Sequence, residues 1–171
     1  MESNSSPKIH CLHDEMVSVS SLKPHPKNRN RHPQEQIDRL AKVLKFQGWR
    51  YPVKVSKRSG FITSGHGRIE AAKLNGWSQV PVNLQDYDSD EQEYADVQSD
   101  NAIASWAELD LSRINSDLGD LGPDFDIELL GIKDFALDTS DFQEPEPKGE
   151  PALKEPQLKM CPNCGVVIER G

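Results

Sequence analysis

The chain reads as an α+β domain of short strands interleaved with helices, followed by a polar tail. Three observations predict this. Apolar residues alternate over Met16–Leu22 and gather in Val53-Lys54-Val55, Phe61-Ile62-Thr63 and Val80–Leu84, short runs of the kind strands make. Between those runs Ile37, Leu40, Ala41 and Leu44 recur at helical spacing. Beyond residue 138 the composition shifts to Pro, Glu, Asp and Lys, too polar to bury a core.

Taken in order, residues 1–15 read as a flexible arm. Within it His10-Cys11-Leu12-His13-Asp14 is either a short cluster of metal-ligand types or a set of incidental histidines. Met16–Leu22 is the first strand. Lys23–Pro33 holds three prolines, which forbid helix and leave an extended loop. Its Lys23, Lys27, Arg29 and Arg31, with His25 and His32, either line a phosphate or nucleic-acid site or form a solvated basic loop. Pro33 suits the first position of a helix that Gly48 stops, with Arg39, Lys42 and Lys45 on its polar face.

Val53-Lys54-Val55 is the second strand, and the turn Lys57-Arg58-Ser59-Gly60 folds Phe61–Thr63 back as a hairpin. Ile69–Leu74 is a helix that Asn75-Gly76 ends, and Val80–Leu84 a further strand, with Pro81 marking an edge or a strand start. Ser89 and Gln92 have capping-box spacing and open a helix through Tyr94 and Val97 towards Ala104. Trp106 and Leu109 are expected in the core. Ser112–Leu121 and Asp124–Leu130 read as two short amphipathic helices. The expected boundaries are an arm at 1–15, the main domain at 16–110, a helical extension at 111–137, a disordered linker at 138–157 and a tail at 158–171.

The stretch Phe61–Gly76 organises the rest. Strand, glycine turn, helix is the layout that sets an anion at a helix N-terminus, where amides lack intrahelical partners and the macrodipole is positive. Gly65 and Gly67 let backbone approach a phosphate, and Arg68 offers a fork of donors. Glycines that merely supply positive φ are the plainer alternative. Downstream, Asp100-Asn101 sets a carboxylate beside an amide, a pair suited either to Mg²⁺ against a phosphate or to an ordinary helix end. Glu70 is expected to pair with Lys73 on the helix surface.

Charge is divided. Residues 1–80 carry 14 Lys and Arg against 6 Asp and Glu, and residues 81–171 carry 6 against 22. The basic half suits phosphate or nucleic acid, while the acidic half argues against a clamp along the whole chain. No apolar run reaches membrane-spanning length, and MESNSSPK lacks a signal pattern, so a cytoplasmic protein is expected. Three cysteines, two as Cys161-x-x-Cys164, fit a reducing compartment and a metal or redox role.

The span from Val17 to Leu109 resembles the N-terminal domain of ParB proteins, of the ParB/sulfiredoxin fold. Three segments carry the likeness: Gln47–Val55, Ser64-Gly65-His66-Gly67-Arg68-Ile69-Glu70-Ala71-Ala72, and Asp100-Asn101. It is most similar to stand-alone ParB-like proteins of phages and prophages, which often end in a C-P-x-C-G knuckle as Cys161–Gly165 does. The resemblance implies a small mixed sheet with surrounding helices, and a nucleotide site: CTP in partition clamps, ATP in sulfiredoxins. Some members carry a nuclease designation. The partition box reads G-E-R-R where this chain has Gly65-His66-Gly67-Arg68. Sulfiredoxins carry their catalytic cysteine in this box, where His66 and Gly67 stand, and with no thiol expected nearby sulfinic-acid reduction is disfavoured. Ser112–Leu130, with Arg113 its only Lys or Arg, is a poor DNA reader.

The expected mechanism sets ATP or CTP at this turn. Gly65, His66, Gly67, Arg68 and Asn101 bind it, Asp100 holds Mg²⁺, and His66 acts as acid/base or hydrogen-bonds a phosphate. Cys161 and Cys164 supply two of the four ligands zinc wants; the rest come from a second chain, giving a homodimer, or from Cys11 with His10 or His13, or the pair binds nothing. Two other functions remain open. One is a DNA-binding, nuclease or methyltransferase-accessory module. The other is an adaptor binding a protein partner through the acidic C-terminal region.

Overall fold

A computed structural model describes residues 6–137, together with the backbone of residues 159–160 and 167–168. The chain divides into two compact units, Met1–Asp138 and Thr139–Gly171. In the first, β1 (Glu15–Ser18), β2 (Lys23–Pro24), β3 (Val53–Ser56), β4 (Phe61–Ser64) and β5 (Gln79–Gln85) form one mixed sheet in the order β1-β5-β3-β4-β2. β3 pairs antiparallel with β4 and parallel with β5, β1 runs antiparallel to β5, and β2 runs parallel to β4. The helices are α1 (Gln34–Gln47), α2 (His66–Leu74), α3 (Asp90–Ala104) and α4 (Leu111–Leu118). In the second unit β6 (Lys159–Met160) pairs antiparallel with β7 (Val167–Ile168).

Strand parity decides what each face of the sheet meets. Val53 and Val55 of β3 join Ile62, Val80 and Val82 in the apolar core, under Ile37, Ala41 and Leu44 of α1 and Ile69, Ala71 and Ala72 of α2. Trp49 is fully buried, with its ring centroid 6.3 Å from that of Trp77. Burying each large apolar side chain contributes about 1.5–3 kcal/mol. Lys54 and Ser56, the alternate residues of β3, pair instead with Asp96 and Glu93 of α3. One side of the sheet is therefore oily and the other a polar seam. Half of the expected capping box forms: Ser89 Oγ accepts from Gln92 N (3.2 Å), while Gln92 Oε1 reaches past the cap and accepts from Asp88 N (2.7 Å).

Several expectations need correction. The arm is tied down over residues 8–14: His10 N donates to Trp49 O (2.9 Å), Trp49 N to Lys8 O (2.8 Å), and Asp14 takes Leu84 N (2.6 Å) on its carboxylate. The first strand stops at Ser18 and turns into a 3-10 helix at Val19–Ser21. Pro33 caps α1 rather than opening it. Pro81 lies inside β5, opposite Met16; its missing N–H is tolerated because the β3 ladder begins at the next residue, Val82 with Val53. Trp106 and Leu109 are exposed, at 77% and 58%, because α3 ends at Ala104 and the chain beyond leaves the core. The helix expected at Asp124–Leu130 is only a 3-10 turn at Ile127–Leu130. No helix among the described residues is long and apolar enough to cross a membrane.

Candidate functional site

β4 ends at Ser64, and Gly65, at φ 98°, swings the chain into α2. The helix starts at His66, so Gly67 and Arg68, expected in the turn, belong to its first turn. The first N–H to bond back is that of Ile69, to Gly65 O at 3.1 Å. The amides of His66, Gly67 and Arg68 thus have no intrahelical acceptor and sit at the positive end of the dipole. A Cβ on Gly67 would stand 3.3 Å from the His32 ring, so the basic loop lies directly against this helix start.

Arg68 folds back over Gly65, where an added Cβ would come within 3.0 Å of Nη2. Burial lowers the guanidinium's pKa, an effect opposed by Asp100, Cys11 and Tyr51 nearby. Its Nε is buried with no hydrogen-bond partner. Such an orphan donor costs about 1–3 kcal/mol. Arg68 also lines a cavity of about 450 Å³ with Gly48, Arg50 and Tyr51 and the α1 residues Leu40, Val43, Leu44 and Gln47. Two arginines and an unsatisfied donor around an open cavity suit an anionic ligand.

Asp100 comes to this turn from α3. Ser64 Oγ donates to its Oδ2 (2.8 Å), and Lys54 Nζ lies 3.7 Å from its Oδ1. Lys54 also donates to both oxygens of Asp96 at 3.0 Å. Tyr87 donates to Asp96 (2.7 Å), and burial pushes its hydroxyl up to about 12, which keeps it a donor. Glu93, next along the same helix face, is buried and accepts from Ser56 (2.7 Å) and Ser59 (2.6 Å).

Of the two roles expected of His66, acid/base or a hydrogen bond to a phosphate, its surroundings weaken the first. Burial, then the neighbouring His32 and His25, lowers its pKa to about 4, so it is neutral at pH 7 and holds no proton ready to give as an acid. Its Nε2 accepts the His25 N–H at 3.3 Å. Asn101 is exposed beside Asp100, and Lys23, Lys27, Arg29 and Arg31 are exposed along the loop. Lys27 Nζ stands 5.7 Å over the Tyr94 ring. Glu70 and Lys73 pair as expected, at 2.7 Å.

The structure thus gathers Gly65, His66, Gly67, Arg68 and Asp100, and adds Arg50, Tyr51, Lys54, His25, His32 and Glu93. His25 and His32 belong to the basic loop already singled out, and Arg50, Tyr51 and Lys54 to the segment Gln47–Val55, whereas Glu93 carries no local signal; Glu93, Asp96 and Asp100 share the spacing of an apolar stripe, and only their partners across the sheet explain the acids. Cys11 comes close enough to feel the Arg68 charge, which corrects the expectation that no thiol is near. Burial nonetheless pushes its pKa up, away from a reactive thiolate. Cys161 and Cys164 lie outside the described residues. Among the described residues no three His, Cys, Asp or Glu side chains converge on a metal position.

The family model described as the ParB N-terminal domain matches residues 3–101. The chain is 35% identical over 74 residues to the ParB-like nuclease domain-containing protein YnaK of Escherichia coli strain K12, covering 43% of this chain and 84% of that one. Among solved structures, C-terminally truncated chromosome-partitioning protein ParB from Caulobacter crescentus, complexed with CTP-gamma-S, is similar with a TM-score of 0.53 at 19% identity. That likeness covers 63% of this chain and 61% of the Caulobacter one. Sulfiredoxin from Arabidopsis thaliana gives a TM-score of 0.37 at 17% identity, over 43% of this chain and 88% of its own.

Proposed function

Because the chain belongs to the ParB N-terminal domain family, we propose that it is a nucleotide-binding module of bacterial or phage DNA metabolism, working in the cytoplasm. The observation that carries this is the orphaned Nε of Arg68, buried at the start of α2 and beside an open cavity. The triphosphate takes the free amides of His66, Gly67 and Arg68 and the Arg68 guanidinium. The cavity of about 450 Å³ that Arg68 lines with Gly48, Arg50 and Tyr51 would take the rest of the nucleotide. Asp100 and Asn101 are the residues that would hold Mg²⁺, which would neutralise phosphate charge; one carboxylate with an amide fits an ion that keeps most of its water. Lys54 then shifts wholly to Asp96, to which it already donates twice.

The bound CTP analogue of the Caulobacter protein makes CTP the first nucleotide to test. Titration calorimetry with CTP, ATP, GTP and UTP in Mg²⁺ is expected to show binding by the native chain. Arg68→Ala should weaken it by about ten- to a hundredfold, the worth of a hydrogen bond to a charged group. No heat with any of the four at millimolar concentration overturns the reading. A DNA-binding role is favoured by one further observation, the four exposed basic residues between Lys23 and Arg31. Filter binding at two salt concentrations tests it, since phosphate contacts must weaken as salt rises. The nuclease reading that the YnaK name suggests requires that any cleavage vanish in Asp100→Ala.

A further inference from the structure

Glu93 takes no part in the site as proposed, yet it is 3% exposed, accepts from two serine hydroxyls and has a histidine at ion-pair distance. Ser56 Oγ and Ser59 Oγ reach it from β3 and the hairpin turn at 2.7 and 2.6 Å. His25 Nε2, from the basic loop, stands 3.2 Å from its Oε1. The serine side is itself braced, because Arg58 N and Ser59 N both donate to Ser56 Oγ, at 3.1 and 3.2 Å. The carboxylate is therefore an anchor set in the sheet, and His25 is what it holds.

The hold on His25 has a chemical consequence at the helix start. His25 Nδ1 accepts the Lys27 N–H (3.1 Å), so the ring's proton sits on Nε2 and faces Glu93. With Nδ1 hydrogen-bonded and Nε2 held 3.2 Å from Glu93, the ring restrains the His25 backbone, whose N–H donates to His66 Nε2. A nitrogen that accepts an N–H carries no proton. Neutral His66 must then carry its single proton on Nδ1. His66 is neutral at pH 7, since burial with His32 and His25 lowers its pKa to about 4.

We propose that Glu93 is a positioning residue: through His25 it fixes His66 as an Nδ1–H donor at the N-terminus of α2. The role of that donor rests on the nucleotide reading, in which it adds a fixed hydrogen bond to the anion; the tautomer itself does not. An acidic residue that reaches His66 only through His25 thus controls which imidazole nitrogen the helix start offers. Without the tether the loop amide is free to leave, and the ring relaxes to the mixture of tautomers of free imidazole.

Long-range proton–nitrogen NMR correlations on the full chain, labelled at histidine and free of nucleotide, read the tautomer directly. At pH 7 the native chain is expected to show His66 protonated at Nδ1 alone. Glu93→Ala should give both tautomers, and Glu93→Gln should restore Nδ1–H, because its amide oxygen still accepts from His25. If Glu93→Ala does not fold, His25→Ala cuts the same tether while leaving Glu93 to both serines, and the same loss is expected. His66 protonated at Nε2 in the native chain, or unchanged in whichever tether variant folds, overturns the proposal. Titration of CTP and ATP into the same samples separates the two readings. Binding about tenfold weaker in the tether variants supports the donor's role. A fixed Nδ1–H with no binding at all overturns the nucleotide reading and leaves Glu93 as the residue that sets the tautomer.

Discussion

His66 shows how one side chain links the site to the stability of the fold. Its imidazole titrates near 6.5 when free of the fold and near 4 within it, because burial and the nearby His32 and His25 disfavour the charged form. As pH falls the unfolded chain therefore takes up the proton first. The contribution of His66 to stability is whole above about pH 6.5, declines through the window between, and is gone below about pH 4. Denaturant midpoints measured across this window should fall more steeply for the native chain than for His66→Gln, which has no proton to take up. Equal slopes would mean that the ring is solvated. At the same scale Arg68 is a side chain whose cost is visible, an unsatisfied buried Nε, and whose return is visible only with a ligand present.

At the scale of elements, two glycines separate backbone conformation from packing. Gly48 and Gly60 share the same φ of 73°. A Cβ on Gly60 meets nothing within 4 Å, whereas one on Gly48 stands 2.7 Å from Lys8 O and 2.8 Å from the His10 ring. Gly60→Ala should cost about 1–2 kcal/mol, the price of a left-handed residue with a side chain. Gly48→Ala should cost at least about 1 kcal/mol more, because its positive φ with ψ −175° is open only to glycine and because the N-terminal arm must give way. Chemical denaturation of the two variants compares them; equal costs would mean that residues 8–10 do not lie against the end of α1. The same contact explains why Trp49 is fully buried: the arm closes over it through hydrogen bonds in both directions, Trp49 N to Lys8 O and His10 N to Trp49 O.

At the scale of the whole molecule, the core and the gathered site residues all belong to the first unit. A chain ending at residue 138 should therefore unfold in one cooperative step, with a stability within about 0.5 kcal/mol of the full chain and unchanged nucleotide affinity. Calorimetric melting and titration check this; a large loss would show that Thr139–Gly171 supports the first unit. The charge division does not follow that boundary, since the acidic half begins inside the first unit. The basic loop and the helix start offer cations where the proposed polyphosphate sits, and the acids of α3 come up beside them, held by Lys54, Ser56, Ser59, Ser64 and His25.

The sequence by itself determined the α+β class, the order of the longer strands and helices, the hairpin, the capped start of α3 and a glycine turn ahead of α2, because each is written in local spacing: period two, period 3.6, glycine and proline at turns. It also brought Asp100 into view, through a likeness of motifs rather than through its neighbours. Only the tertiary structure decided that Ser64 grips Asp100, that Arg68 is buried beside Arg50 and Tyr51, that the arm is a strand-like cover on Trp49, and that Glu93 reaches His66 through His25. Each of those joins residues far apart in the chain, and no local pattern encodes a contact made by packing two helices and a loop against the same sheet.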